Sequence, residues 1–138
     1  MVDVSPPHRL SDAELARRRA ESAELLEVAR PHLDWLSATF ARVPHVACVV
    51  DRDGFVLHAI APAAADDATH APLLPGHHWS ERAMGASVAA SAPVRAPEGE
   101  MLGAVALVLA TTEPGASEPR QAVAYAAWAV ERELSARD

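Results

Sequence analysis

The run Pro75-Gly76-His77-His78-Trp79-Ser80-Glu81 gathers imidazoles, an indole, a hydroxyl and a carboxylate in one short stretch. Those groups suggest three chemistries. A metal centre needs three or four convergent ligands. His77 and His78 are adjacent and point apart in most backbone conformations, and although His70 and Glu81 could join them, no His-x-x-x-His or Cys-x-x-Cys spacing supports a site. A hydrolase needs a nucleophile, a base and an orienting acid. Ser80, His78 and Glu81 have the right types, but adjacency in sequence does not make that geometry. We therefore expect no metal, no catalytic residue and no cofactor. The remaining reading is structural: Gly76 supplies a turn, Trp79 anchors the loop in the core, Ser80 caps a helix, and Glu81 sits at its positive end. Direct contact of His78, Trp79 or Met84 with a small ligand is the other use of the same residues.

The elements around this stretch follow from local pattern. Residues 1–10, "MVDVSPPHRL", have a Pro pair and no periodicity, and are expected as a loose tail before one domain at 11–138. Ser11 and Glu14 form a capping box that starts a helix. Leu26, Ala29, Leu33, Leu36 and Phe40 make an apolar stripe at spacings of 3 and 4. Pro31 interrupts it, so a kink, or a junction of two helices near Arg30, is expected. "HVACVVDRDGFVLHAI" reads as a β-hairpin turning at Asp51-Arg52-Asp53-Gly54. Residues 61–78 read as loop. Ser80 then caps a short helix over 81–90. "APVRAPEGEMLGAVALVLA" reads as a second hairpin turning at 97–100, and Ser117 caps a last helix that buries Val123, Ala127, Val130 and Leu134. The order helix, β-β, short helix, β-β, helix predicts an α+β fold. The hairpins join in one antiparallel sheet, with the terminal helices on one face and Val49 and Val105 in central strands.

Composition excludes several function classes. With 138 residues, half of them apolar, the chain can bury a core. Much of that half is alanine, so the core should be thin and closely packed. All 12 basic residues are arginine, which with the abundant Ala and Pro reads as the coding bias of a GC-rich genome. The net charge of −7 argues against direct nucleic-acid binding. The cluster Arg17-Arg18-Arg19 lies among Glu14, Glu21, Glu24 and Glu27 and reads as a solvated helix face. No apolar run reaches the ~20 residues of a membrane span. With no signal pattern and Cys48 alone, a cytoplasmic protein is expected.

Four segments together resemble a GAF domain, a small-ligand sensor fold related to PAS domains. They are "LLEVARPHLDWLSATF", "VVDRDGFVLHAI", "LPGHHWSERAMGASVAA" and "APVRAPEGEMLGAVALVL". More narrowly, they resemble the N-terminal GAF domain of acetoin-type activators of the nitrogen-type sigma factor. Trp79-Ser80-Glu81, placed between two hairpins, is the most specific part. The chain departs from that family at Gly85-Ala86-Ser87, where the family writes Gly-Thr-Asn. It also passes from "SVAAS" to "APVRA" without the family's intervening strand. The resemblance implies a GAF-like (PAS-related) antiparallel sheet and a trimmed sensor without an ATPase or DNA-binding module. A methionine sulfoxide reductase of this fold needs several cysteines, and one Cys rules it out.

Two functions follow as expectations. In the first, the protein is a small-molecule-sensing regulatory domain in signal transduction or transcriptional regulation. Its effector pocket lies between the sheet and the short helix, lined by His58, His78, Trp79, Met84 and Val88. In the second, the shortened segment leaves no pocket and the protein is an interaction module acting through its helices. On the last helix Tyr125, Trp128 and Arg132 fall opposite the buried stripe. Aromatics and arginine are enriched at interface centres, so a homodimer through the first and last helices is expected, the alternative being that Tyr125 and Trp128 are scattered surface aromatics or pack under the first helix of the same chain. A regulatory protein partner is a further expectation.

Overall fold

The computed structural model describes residues 9–42, 45–60, 75–78, 88–109 and 117–137. The elements run α1 (Asp12–Glu21), α2 (Ala23–Thr39), β1 (His45–Asp51), β2 (Val56–Ile60), β3 (Val88–Arg95), β4 (Met101–Leu109) and α3 (Ser117–Arg137). The cap at Ser80 and residues 81–87 of the expected helix lie outside the described residues, but its last three positions, 88–90, are not helical: they begin β3, held by backbone pairing with β4.

α1 begins at the expected place. Ser11 is extended (φ −65°, ψ 160°) and its hydroxyl accepts the Glu14 N–H at 3.1 Å. The Glu14 carboxylate instead turns to Arg17 and Arg18. The break between the first two helices is not at Pro31. It falls upstream at Ser22 (φ −107°, ψ 22°), whose N–H closes on the Arg18 carbonyl at 3.0 Å. Pro31 sits inside α2 on its exposed side. There the carbonyl of Glu27, which loses its helical donor, faces water, so the helix continues.

α2 buries the expected stripe of Leu26, Ala29, Leu33 and Leu36, widened by Leu25 and Val28, while Phe40 packs partly buried at its end. α3 buries Val123, Ala127, Val130 and Leu134, with Ala126 beside them. Both helices lie on one face of a four-stranded sheet of order β2-β1-β4-β3, in which every neighbouring pair is antiparallel. Val49 pairs with Val105 in the two central strands, as expected. Val49, Leu57, Val105 and Leu107 meet the helices, whereas Cys48, Val50, Val56 and Ala106 form a second buried cluster. All seven residues of β1 are buried, which a strand with both faces covered requires.

Small residues set the spacing of the sheet. A Cβ on Gly103 would lie 2.3 Å from the Val50 carbonyl oxygen, so β4 can approach β1 this closely only with glycine there. At the β1–β2 turn Gly54 adopts φ +90° and donates to the Asp51 carbonyl at 3.0 Å. At the β3–β4 turn Gly99 adopts φ +96° and donates to Ala96 at 2.8 Å. Two segments expected as irregular are ordered by each other. Arg9 bridges to His77, Leu10 is buried, and Phe55 bridges to His78. The last two residues of the expected tail and the last two of the expected loop thus form paired backbone.

Candidate functional site: an aromatic helix face

The outer face of α3 follows from its period. With Val123, Ala127, Val130 and Leu134 turned inward, Tyr125 and Trp128 must point out. They are 55% and 52% exposed. Trp35 of α2, 43% exposed, joins them. The ring centroids of Trp35 and Tyr125 are 5.4 Å apart, and those of Tyr125 and Trp128 are 5.8 Å apart. The Arg132 guanidinium lies 5.2 Å over the Trp128 ring. A cleft of about 460 Å³ adjoins this end, lined by Trp128, Glu131, Arg132, Ser135 and Ala136. The result is a continuous strip across two helices. Centroid spacings near 5–6 Å are in the range of favourable tilted contacts, which hold the rings in place without a partner.

The strip stands on a fixed base. The Glu131 carboxylate accepts the Arg95 backbone N–H at 2.9 Å, tying α3 to the end of β3. His32 of α2 meets Glu133 of α3 at 3.1 Å, and Arg137 reaches Glu27 at 3.4 Å. These contacts cross between the same two helices that carry the aromatics. Tyr125, Trp128 and Arg132 were expected as a group. Trp35 was not, although its position between the buried Leu33 and Leu36, off their stripe, was the available signal.

The residues expected around an effector are dispersed. His58 lies on β2 opposite Val49, on the face that α2 covers, and burial with nearby Arg30 and Arg19 lowers its pKa. His78 is exposed. Its ring meets Phe55 edge-on at 5.1 Å, and its Nε2 is 3.0 Å from the Asp53 carbonyl oxygen, so it braces the β1–β2 turn. Val88 pairs with Leu109 in β3, at the opposite edge of the sheet from β2. Trp79 and Met84 lie outside the described residues.

Two further clefts are present. One, of about 490 Å³, lies between α1, the β1–β2 turn and the start of β4, with Arg17, Arg18, Asp51, Asp53 and Glu100 in its wall. The other, of about 270 Å³, lies beside the β3–β4 turn. Neither His58 nor His78 lines any of the three clefts. Among the described residues no group of three His, Cys, Asp or Glu side chains is placed to hold a metal ion, and no helix is long and apolar enough to cross a membrane.

The arginine cluster of α1 differs from a wholly solvated face. Arg17 is exposed and pairs with Glu14 and Glu21 along the helix, as expected. Arg18 pairs with Glu14 at 3.0 Å as well and also reaches Asp51 and Asp53 at 2.9 Å each, and Arg19 donates to the Leu57 carbonyl at 2.9 Å. Neighbours far along the chain, invisible to local spacing, recruit two of the three.

No family model matches the sequence, and no curated protein matches it. Among solved structures, the fold resembles a chain in the crystal structure of the E. coli DhaR(N)-DhaL complex. The TM-score is 0.75 at 14% identity, over 96% of this chain and 55% of that one. It also resembles an IclR homolog from Microbacterium sp. strain HM58-2, with a TM-score of 0.53 at 18% identity, over 90% of this chain and 72% of that one. This protein thus spans about half the length of the DhaR(N)-DhaL chain it matches. At such identities the likeness is one of fold alone.

Proposed function

We propose that the protein is a non-catalytic regulatory domain of GAF-like type whose output is a protein–protein contact made by the α2–α3 face, and that it pairs there with a second copy of itself. The observation that carries this reading is the strip Trp35–Tyr125–Trp128 with Arg132 stacked on it. A helix that served only to cover the sheet would put charge outward at those positions. Contiguous rings already fixed against one another lose little side-chain freedom on binding. The chain from the DhaR(N)-DhaL structure supports the reading, since a protein of like fold is there part of a two-protein assembly.

A two-fold pairing about Tyr125 and Trp128 would set this strip against its own copy. Sedimentation velocity on the wild type and on Trp128→Glu tests the pairing. The wild type should be dimeric, and the variant should weaken association by about 30-fold or more, as for a hot-spot aromatic. A monomeric wild type, or a fully dimeric variant, overturns it.

The GAF-like architecture favours a second role for the same domain, sensing of a small molecule. We place the effector at the His78–Trp79 stretch with Met84. His58 and Val88, on strands at opposite edges of the sheet, do not share that site. An effector at 100 times its dissociation constant adds about 2.7 kcal/mol of stability. A thermal-shift screen of small metabolites reads this directly. Absence of any shift would leave an interaction module working through its helices.

A further inference from the structure

α1 differs from the other helices in what holds it. It is a ten-residue helix with no buried residue. Helices of this length are marginal in water by themselves, so docking must maintain it. The dock is polar. Arg18 makes contacts of 2.9 Å to Asp51 and to Asp53, and its guanidinium lies 4.8 Å over the Phe55 ring. Arg19 takes the carbonyl of Leu57, where a register shift leaves β2 irregular. Leu15 adds one partly buried apolar contact.

The receiving side is built independently of the helix. Asp51 Oδ1 accepts the N–H groups of Asp53 and Phe55 at 2.9 and 3.0 Å, leaving Oδ2 for Arg18. The turn therefore keeps its shape when Arg18 leaves. At the other end, α1 and α2 meet at the single non-helical residue Ser22. α2 is anchored by six buried residues, so movement about Ser22 would carry α1 and spare the core.

The same arm closes the edge of the sheet. Leu10 N–H donates to the Gly76 carbonyl at 2.8 Å, Gly76 N–H donates to the Val56 carbonyl at 2.7 Å, and Val56 N–H donates to the His77 carbonyl at 2.8 Å. Residues 9–10, 76–77 and β2 thus form one layered edge, with the arm outermost.

We infer that residues 9–21 form a strap, hinged at Ser22 and latched by Arg18, that opens as a unit and so uncovers the Gly76 carbonyl, the Leu57 carbonyl and the Phe55 ring. The docked strap keeps Phe55, the Leu57 carbonyl and the Gly76 carbonyl occupied. The open strap frees those groups, and the open population depends on ionic strength through the Arg18–Asp53 contact, whose carboxylate is 57% exposed, more than through the nearly buried Arg18–Asp51 contact.

Amide hydrogen exchange on the full chain tests this, comparing the wild type with Arg18→Gln. Amides of residues 10–21 should exchange faster than those of β1 and β4 already in the wild type, and about tenfold faster again or more in the variant, given the charge-assisted bonds removed. The N–H groups of Gly76 and Val56, which bond between residues 76–77 and β2, should stay more protected than α1. Unchanged exchange of α1 in the variant, or α1 amides as slow as those of β4 in the wild type, each overturns the strap. If Arg18→Gln does not fold, the wild type alone decides. Raising NaCl to about 1 M, where the screening length is near 3 Å, should accelerate exchange in α1 several-fold, with α1 still exchanging faster than β4. A salt-insensitive α1 overturns the inference.

Discussion

The two hairpin turns share their chemistry and differ in their support. Each ends in a glycine near φ +90° that donates to a carbonyl three residues back. Around Gly54 the protein has built a socket. Asp51 holds two backbone N–H groups, Arg18 meets Asp51 and Asp53, and His78 closes over the Asp53 carbonyl. Around Gly99 there is nothing within 4 Å of where a Cβ would stand. A turn can thus be a closure of the chain alone, or also a place where distant segments are fastened. The first kind needs only its own residues. The second uses the turn's polar groups as tertiary contacts, and its sequence looks almost the same.

The largest difference should come from Asp51→Ala. It removes the acceptor for the Asp53 and Phe55 N–H groups and leaves part-buried Arg18 short of a partner. We expect a loss of about 3 kcal/mol by urea unfolding. A truncation in the other turn, Glu98→Ala, should leave the midpoint in place. Gly54→Ala comes next. It combines an unfavourable φ with a Cβ 2.8 Å from His78 Nε2, and should cost about 2 kcal/mol. Gly99→Ala suffers the φ alone, and about 1 kcal/mol is expected. Equal costs at the two glycines would mean the socket adds nothing.

Acid should separate the turns without mutation. The hydrogen bond from Arg17, and then that from Arg18, hold the Glu14 pKa down from 4.5 to about 2. A depressed pKa means the ionised form favours the folded state, so this support is complete above pH 4.5 and is lost as pH falls from 4.5 to 2. Chemical shifts of α1 should change across that window, while those around Gly99 should not follow Glu14. The smallest effect should come from Arg52→Ala. Arg52 reaches Glu100 at 3.4 Å and is the side chain that links the two turns, but both groups are exposed. Below about 0.5 kcal/mol is expected, and a larger value in a double-mutant cycle would show the turns to be coupled.

What could be read in the sequence divides along the same line. The α2 stripe from Leu26 to Leu36, both hairpins, the cap at Ser11 and the pairing of Val49 with Val105 rest on period and turn chemistry. Those are local rules. The role of Arg18 was not legible, because Asp51 lies 33 positions away and only the fold brings it close. Nor was the break at Ser22. Proline was the stronger local signal, but Pro31 faces solvent, where a lost helical bond is cheap. Tyr125 and Trp128 could be read as outward-facing from α3 alone. That Trp35 completes the strip depends on how α2 and α3 cross, and no helix encodes its neighbour's angle. His58 and Val88 were grouped by a shared family pattern, yet they occupy strands at opposite edges of the sheet.

The lone thiol of Cys48 makes the protein its own clock. It sits in the middle of β1, wholly buried, and burial pushes its pKa up to about 12. At pH 8 only about one molecule in ten thousand then carries a thiolate, against roughly a quarter for an exposed cysteine. A thiol reagent in excess should therefore label only chains in which β1 has left the sheet. Its labelling rate in native buffer should equal the global unfolding rate and be far slower than opening of the strap, since movement of the strap leaves β1 in place.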